Sequence, residues 1–365
     1  MLRSFPKLAF DVRKIAVLRA NGIGDFIFAL PALEALRSAY PRAEITLLGL
    51  PWHHELLDGR PGPVDRTVVV PRSQGIRDEP GQGESRVELD QFFDGMRQEA
   101  YDLAIQLHGG GRYSNSFVLR LGARTTIGSK TPDAAPLDKW IPYVYFQSEI
   151  MRYLEIVSLV GARPVCLEPS FQVCAEELAE ARGVIPSIKK PLVVIHPGAG
   201  DPRRRWPPEK FAAVGDDVAS NGAQVVVIGT EPERAVVESV ISSMRSQAQN
   251  LCCQLSVGGL AGLLSLSNLV VSNDSGPLHL ATAVGVPTVG IFWCGNLINS
   301  GPLTRTCHRQ AVSWQIVCPV CGINCMAEDC EHTCSFVADV SSEEVLGHAK
   351  DLLTRPAKPA VRLVV

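Results

Sequence analysis

The stretch from residue 269 to residue 292 constrains the fold of this chain more than any other part of the sequence. It begins with an apolar run typical of a buried strand, which ends at the turn residues 273–276, Asn-Asp-Ser-Gly. Pro277 suits the first position of a helix, and Gly285 suits the position just after a helix ends. We therefore predict a strand, a turn, a helix and a second strand within 24 residues.

The turn in this stretch is a candidate anion site. A helix that starts there directs unpaired N–H groups and a partial positive charge at whatever lies beyond the strand. Asp274, Ser275, Gly276 and His279 fall within six residues at this point and are candidate ligand-binding residues. A simpler interpretation stays open, in which Asp274 or Ser275 only caps the helix and His279 packs beneath it.

The length of 365 residues predicts two domains, and a composition of 46% hydrophobic and 20% charged residues is enough for ordinary globular cores. A net charge of −3 gives no reason to expect nucleic-acid binding. The most apolar window, 278–293, is interrupted by His279, Gly285 and Pro287 and is too short to span a membrane. Charged residues interrupt the first 13 positions, so no signal peptide is predicted and we expect a cytoplasmic protein.

The N-terminal half opens with a strand over 14–19, a glycine turn and an apolar helix over 26–40. This order is typical of the first unit of a nucleotide-binding α/β domain. Asp25 stands at the start of the helix, either as a plain N-cap or as a functional carboxylate. Phe28 occupies the place of the third glycine in the dinucleotide fingerprint, so a nicotinamide oxidoreductase is the least expected function.

The C-terminal half repeats the same alternation after a proline-rich passage at 163–170. A strand over 192–196 leads into a turn at 197–207 that carries three consecutive arginines, and a second turn follows at 229–234. Alternating strands and helices indicate a parallel sheet flanked by helices, so we predict two such sheets. Two domains of this kind facing each other would bring the carboxyl ends of their strands to a common cleft, where ligand sites are expected.

Residues 103–132 contain no acidic residue but carry Arg112, Arg120, Arg124 and Lys130. Four cations in such a stretch are ordinarily a solvated face. The alternative is a site for an anionic acceptor molecule, with Arg112 best placed because it follows a glycine loop at the end of a strand.

Four motifs, taken in order along the chain, resemble those of glycosyltransferase family 9, the family of the lipopolysaccharide heptosyltransferases. They lie at residues 18–25 with 30–33, at 196–199 with 203–207, at 229–233 and at 274–279 with Ala281 and Ala283. The resemblance implies an α/β fold of GT-B type, with two Rossmann-like domains facing across a cleft. It implies an acceptor-binding domain at 1–168, a nucleotide-sugar-binding domain at 169–345, a terminal helix at 342–354 returning toward the first domain, and a flexible tail at 355–365.

The same resemblance implies roles for individual residues. Asp25 would be the general base, and Gly24 and Arg112 are our candidates for contact with the acceptor. Family members commonly carry a lysine two residues before the tryptophan where this chain has Arg204, so the phosphate contact stays open between Arg204 and Arg205. The donor-binding candidates are His196, Gly198, Arg204, Arg205, Glu233, Asp274, Ser275, Gly276 and His279.

The expected reaction is inverting, metal-independent transfer of a sugar from a nucleotide donor, since the sequence contains no Asp-x-Asp pair. The family name suggests ADP-heptose as the donor, with no further cofactor. We expect an anionic glycan or glycolipid acceptor of the lipopolysaccharide-core type, and peripheral contact with the inner membrane surface. Two alternatives stay open: a nucleotide-sugar epimerase of the same architecture, and a non-catalytic nucleotide-sugar-binding protein.

Five of the eleven cysteines are crowded into 17 residues, at Cys318, Cys321, Cys325, Cys330 and Cys334. Cys-x2-Cys is a spacing suited to zinc, and two of the remaining thiols could complete a tetrahedral set. The span is shorter than the usual separation between two paired knuckles. On spacing alone we favour reduced thiols over a structural metal.

Overall fold

Two parallel sheets of six strands each organise the chain in the computed structural model, which describes residues 11–78, 83–188 and 191–354. The chain separates into two units, Met1–Pro169 and Ser170–Val365, and each sheet belongs to one unit. The predicted tail at 355–365 lies outside the described residues. Among the residues that are described, no helix has the length and apolar character needed to cross a membrane.

The first unit has the strand order β3-β2-β1-β4-β5-β6, with all neighbouring strands parallel. Its central strands are apolar and buried, as expected for a sheet covered on both faces. The strands are β1 (Lys14–Leu18), β2 (Glu44–Gly49), β3 (Arg66–Val69), β4 (Leu103–Gln106), β5 (Thr125–Lys130) and β6 (Lys139–Pro142). The helices are α1 (Ile23–Ala39), α2 (Pro51–Leu57), α3 (Arg86–Gln98), α4 (Ser114–Leu119) and α5 (Glu149–Ser158).

The second unit has the order β12-β11-β10-β7-β8-β9, which is the same topology traced from the other edge. Its strands are β7 (Leu192–His196), β8 (Gln224–Val227), β9 (Ala248–Asn250), β10 (Leu269–Asn273), β11 (Thr288–Trp293) and β12 (His308–Ser313). Its helices are α6 (Ala175–Val184), α7 (Pro208–Ser220), α8 (Arg234–Ser243), α9 (Val257–Leu266), α10 (Gly276–Ala283), α11 (Cys294–Ser300) and α12 (Ser342–Leu353).

The order of both sheets reverses direction at a central pair of strands, β1 with β4 in the first unit and β7 with β10 in the second. Such a switch point leaves a crevice outside the carboxyl ends of the two strands, because their connections run to opposite sides. The residues that follow these four strands are therefore the best-placed candidates for ligand binding.

The terminal helix α12 begins at Ser341, whose hydroxyl accepts a hydrogen bond of 3.1 Å from the backbone N–H of Glu344. Val345, Ala349 and Leu352 share one face of the helix and are buried in the core of the second unit. Burial of a leucine side chain alone contributes about 1.5–3 kcal/mol. The expectation that this helix returns toward the first domain stays a prediction.

Candidate active site

Asp25 lies in the first turn of α1, just beyond the carboxyl end of β1, and the N-cap of this helix is Gly22 rather than Asp25. Its Oδ1 accepts a hydrogen bond of 2.8 Å from Nη2 of Arg19. The same guanidinium donates from Nε to the backbone carbonyl of Asp25 at 3.0 Å and from Nη1 to the carbonyl of Leu107 at 2.6 Å. Arg19 thus ties the ends of β1 and β4 to the start of α1, and 44% of the Asp25 side chain remains exposed.

Two buried histidines lie near this ion pair. Nδ1 of His108 accepts the N–H of Ala20 at 3.3 Å, so its Nε2 carries the proton and donates to the carbonyl of Gly75 at 3.1 Å. Burial and the nearby Arg19 cation lower the pKa of His108 to about 4, and the same causes lower the pKa of His53 to about 3. Both rings are neutral at neutral pH, and Asp25 is the most exposed side chain of this group.

The two acceptor candidates lie at the ends of the same central strands. Gly24 is half-buried beside Asp25 in α1. Arg112 follows a glycine loop after β4, where Gly111 has a φ of +92° and a Cβ would meet the Asn115 side chain at 2.5 Å. The guanidinium of Arg112 is exposed, and its Nε lies 3.6 Å from a carboxylate oxygen of Asp133.

The other cations of the 103–132 stretch have local partners from elsewhere in the chain. Arg120 pairs with Asp90 at 2.9 Å, and Arg124 pairs with Asp102 at 3.3 Å. The ammonium of Lys130 lies 5.0 Å from the centre of the Trp140 ring. Carboxylates outside the stretch therefore offset much of its positive charge, in agreement with the solvated-face interpretation for Arg120 and Arg124.

In the second unit, His196 at the end of β7 and Glu233 in the turn after β8 form a hydrogen-bonded pair. Oε2 of Glu233 accepts the N–H and the hydroxyl of Thr230 at 2.9 and 2.8 Å and lies 3.3 Å from Nε2 of His196. Burial alone would raise the pKa of Glu233, but its hydrogen bonds from His196 and Thr230 lower it to about 2. Because this carboxylate is ionised, Nε2 of His196 carries the proton, and Nδ1 faces the Ser275 hydroxyl at 3.0 Å.

Position 198 requires a residue without a Cβ, because the Glu233 carboxylate lies directly against Gly198. A Cβ at Gly198 would fall 1.9 Å from Oε1 of Glu233, whereas a Cβ at Gly200 would meet nothing within 4 Å. The turn after β7 therefore fixes the orientation of the glutamate in the turn after β8.

Asp274 is a buried anion at the end of β10, with 1% of its surface exposed. Oδ1 is bound at 2.9 Å by both Nε2 of His279 and the Ser300 hydroxyl, and Oδ2 accepts a hydrogen bond of 3.1 Å from Nη1 of Arg204. Burial raises the pKa of Asp274, but His279 and Arg204 lower it by more, so the net shift is downward. Ser275 occupies the N-cap position of α10, but among the described residues no side-chain hydrogen bond caps this helix, so side-chain capping by Asp274 or Ser275 is not seen.

The three consecutive arginines have different partners. Arg203 pairs with Asp201 at 2.7 Å, Arg204 pairs with Asp274, and Nε of Arg205 donates to the carbonyl of Ala199 at 2.9 Å. Arg204 is thus the arginine held at the start of α10. In the described part of the chain its Nε is buried without a hydrogen-bond partner.

Several residues that position this site were not singled out from the sequence. Asn273 accepts the N–H of Trp206 at 3.0 Å and donates to the carbonyl of Pro197 at 2.8 Å, so one amide links the ends of the arginine turn to β10. A buried asparagine at the end of an apolar strand is a weak sequence signal for such a role. The others are Arg19, His53, His108, Thr230 and Ser300.

The five crowded cysteines lie between β12 and α12, and all are free thiols. The structure brings Cys318, Cys321 and Cys330 together with His332, a residue that the spacing of the cysteines did not indicate. Cys325 lies beside this group, with its Sγ 3.7 Å from that of Cys330.

Several known proteins are similar to this chain. The model of glycosyltransferase family 9 (heptosyltransferase) matches residues 90–316, more than half of the chain. The chain is 24% identical to lipopolysaccharide heptosyltransferase 2 of Escherichia coli K12 over 302 residues, which cover 76% of this chain and 82% of that relative.

Two solved structures share the fold. A family 9 glycosyltransferase from Veillonella parvula has a TM-score of 0.77 at 23% identity, covering 95% of this chain and 99% of its own. The ADP-heptose lipopolysaccharide heptosyltransferase II of E. coli has a TM-score of 0.73 at 20% identity, with 93% and 98% covered. These likenesses confirm the predicted α/β fold of GT-B type.

The family does not favour the alternatives of an epimerase or a non-catalytic binding protein. Because the family model matches more than half of its length, this chain belongs to glycosyltransferase family 9, the heptosyltransferase family, and is a glycosyltransferase.

Proposed function

We propose that this protein transfers heptose from ADP-heptose to an anionic acceptor of the lipopolysaccharide core or a related cell-surface glycan, with inversion and without a catalytic metal. Its relatives include a lipopolysaccharide heptosyltransferase and an ADP-heptose lipopolysaccharide heptosyltransferase, which supports the sugar, the nucleotide and the acceptor class. The observation that carries the chemistry is the half-exposed carboxylate of Asp25, held by the buried guanidinium of Arg19 at the switch point of the first sheet.

The second unit is proposed to bind the nucleotide sugar. Arg204 is held by Asp274 at the start of α10, where the helix N-terminus favours an anion. An unpaired buried N–H such as Nε of Arg204 is unfavourable, and a phosphate oxygen would relieve it. The ionised carboxylate of Glu233 lies in the turn after β8 and suits a ribose hydroxyl as a hydrogen-bond acceptor.

The first unit is proposed to bind the acceptor and to supply the base. The acceptor hydroxyl attacks the anomeric carbon of the donor and loses its proton to Asp25 as the new glycosidic bond forms. The bond from the anomeric carbon to the diphosphate oxygen breaks on the opposite face, and the charge that develops on the leaving diphosphate is stabilised by Arg204 and the N-terminus of α10. Gly24 lies beside Asp25 in α1, and the exposed guanidinium of Arg112 suits an anionic group of the acceptor.

The charge of the leaving group is balanced by protein groups in this mechanism, which is why we propose that catalysis needs no metal and no further cofactor. We further propose that the enzyme works in the cytoplasm, in peripheral contact with the inner membrane surface where a glycolipid acceptor would be anchored.

The replacement Asp25→Asn tests the base. Asparagine keeps an oxygen for Nη2 of Arg19, so folding and ADP binding should hardly change, while turnover should fall by about 10²–10⁴-fold. Asp58→Asn, at an exposed carboxylate of the same unit, is the matched control and should keep full activity. Near-normal turnover of Asp25→Asn in a heptose-transfer assay would show that Asp25 is not the base.

The release of ADP distinguishes transfer from epimerisation. A transferase should release ADP from ADP-heptose much faster when the acceptor is present than when it is absent. Release that does not depend on the acceptor would contradict the proposed reaction.

A further inference from the structure

The segment that joins β12 to α12 holds a compact group of soft ligand atoms. Cys318, Cys321, Cys330 and His332 each offer one ligand atom, and these four atoms lie within 4.8 Å of one another. Three thiols and an imidazole are a set that suits a tetrahedral metal site. The first two ligands also have the Cys-x2-Cys spacing noted in the sequence.

The backbone around these thiols is arranged in a regular way. Each of the three sulfurs accepts a hydrogen bond from the backbone N–H of the residue two positions further along. The backbone of these turns therefore holds the three sulfurs in fixed positions. The pairs are Val320 to Cys318, Ile323 to Cys321, and His332 to Cys330.

The turn that carries the first two thiols is closed by reciprocal backbone bonds. The N–H of Gly322 donates to the carbonyl of Cys318 at 2.9 Å, and the N–H of Cys318 donates to the carbonyl of Ile323 at 2.9 Å. Gly322 has a φ of +76°, a conformation that a residue with a Cβ rarely adopts. The turn is therefore preorganised to present Cys318 and Cys321 on one side.

His332 gives an independent indication that this group of side chains binds an ion. Within the described ranges its Nδ1 is buried and has no hydrogen-bond partner. A buried ring nitrogen beside three sulfurs has few favourable states unless a cation or a donor lies between them.

We propose that Cys318, Cys321, Cys330 and His332 form a closed structural zinc site. A Cys₃His set is soft, provides four ligands and leaves no open position for substrate, as in other structural zinc sites. The spacing alone favours reduced thiols, because a site built from two paired Cys-x2-Cys turns needs a longer span. The structure removes that objection, since the fourth ligand is a histidine and only one Cys-x2-Cys turn is required. Cys325 and Cys334 remain outside the set.

The site has a structural consequence for the arginine turn. The hydroxyl of Ser335, three residues after the last ligand, donates to the carbonyl of Arg205 at 2.6 Å. The N–H of Phe336 donates to the carbonyl of Arg203 at 2.7 Å. Zinc would fix the segment on which the backbone around Arg204 rests, so its loss should weaken nucleotide binding. This last step depends on the proposed donor role of Arg204.

Metal analysis of the untagged full-length protein, purified without chelator, tests the site directly. We expect about one zinc per chain. Cys321→Ser and His332→Ala, at positions that are exposed or half-buried, should fold and lose bound zinc by at least about tenfold, since even loss of an outer partner of a metal ligand costs 10–100-fold in affinity. Cys325→Ser and Cys334→Ser are the matched controls from the same segment and should retain zinc.

Two further measurements keep the test independent of catalysis. Substitution by Co²⁺ should give the intense visible bands of a tetrahedral thiolate site. A glutamate-specific protease should cut at Glu328 or Glu331 faster in the zinc-free variants than in the wild-type protein or the controls, because the metal orders this segment.

Three results would overturn the assignment. The first is a protein without stoichiometric metal, and the second is stoichiometric iron in place of zinc. The third is loss of zinc in Cys334→Ser with retention of zinc in His332→Ala. Zinc in a protein that transfers no sugar would refute the proposed function and leave the metal site standing. Full zinc loss with unchanged ADP affinity would refute only the link to the arginine turn.

Discussion

Replacement of Gly198 by alanine is the sharpest probe of the proposed ribose contact, because it acts on Glu233 without changing its charge. The new Cβ would start 1.9 Å from Oε1 of Glu233, and Cβ atoms essentially never approach a heavy atom closer than 3.0 Å. The carboxylate must therefore retreat by about 1.1 Å, the difference between these distances. Gly198 lies outside the left-handed region, so alanine imposes no backbone strain.

The size of the effect follows from the hydrogen bonds of the carboxylate. A retreat of about 1.1 Å directed away from Thr230 lengthens the 2.8 Å contact between its hydroxyl and Oε2 to at most about 3.9 Å, beyond hydrogen-bond distance. The contact proposed for the ribose hydroxyl should be lost with it. One hydrogen bond to a charged group contributes about 1.5–3 kcal/mol, so the Kd for ADP should rise by about 10–150-fold.

Calorimetric titration with ADP measures this change, and Gly200→Ala is the matched control. Gly200 lies in the same turn, is exposed and has open space around a Cβ, so alanine there should leave the Kd within about twofold. In a Glu233→Ala background the clash disappears, and Gly198→Ala should then have little further effect.

An unchanged ADP affinity in Gly198→Ala would refute the assignment of Glu233 to the ribose. Equal additional losses in the wild-type and Glu233→Ala backgrounds would show that the alanine disturbs the turn by a route that does not involve the carboxylate.

Arg204→Ala should weaken ADP binding by about 1.5–3 kcal/mol, whereas Arg205→Ala should have little effect because Nε of Arg205 is bound to a backbone carbonyl. Equal losses of ADP affinity in calorimetric titrations of the two variants would contradict this distinction. Arg19→Lys should reduce turnover by up to about 100-fold with unchanged ADP affinity, since lysine cannot make the three hydrogen bonds by which Arg19 orients Asp25. Normal steady-state rates in this variant would be evidence against a positioning role of Arg19. The unfolding free energy should fall as the pH decreases from about 6.5 to about 4, because His108 has a pKa of about 4 when folded and binds its proton more readily when unfolded. In urea melts His108→Asn should reduce this slope by up to about 1.4 kcal/mol per pH unit, and an equally steep slope would show that His108 is not responsible.

Much of the fold could be predicted from apolar runs and turn residues. The strand predicted over 192–196 is β7, and the terminal helix expected over 342–354 is α12, Ser342–Leu353. The helix predicted over 26–40 in fact starts at Ile23, since the glycine turn is already helical there. The edge strand β12 was not predicted, because its sequence, His308–Ser313, is polar at several positions and gives no buried-strand pattern.

The candidate site residues could be named from the sequence, but their contacts could not. Pro202–Arg204 form a single 3₁₀ turn, in which successive side chains point about 120° apart, so Arg203 and Arg204 have different partners, and Arg205 follows in extended backbone. The partner of Arg204 is Asp274, 70 residues away, and no local pattern specifies it. His332 was missed for a related reason, since metal-ligand spacing rules based on cysteines alone do not consider it.

The contacts of the Asn273 amide and the Trp206 indole determine when the arginine turn of the second unit can be completed during synthesis. The arginine turn is joined through Asn273 to β10, and Nε1 of Trp206 donates to the carbonyl of Val340 at 3.0 Å. The ribosome makes Val340 134 residues after Trp206. The first unit can form its sheet once Pro142 has emerged, but the arginine turn has its full set of contacts only when nearly the whole chain is made. We therefore expect the residues around Asp25 to lie in a folded unit of the nascent chain before the proposed donor site is complete.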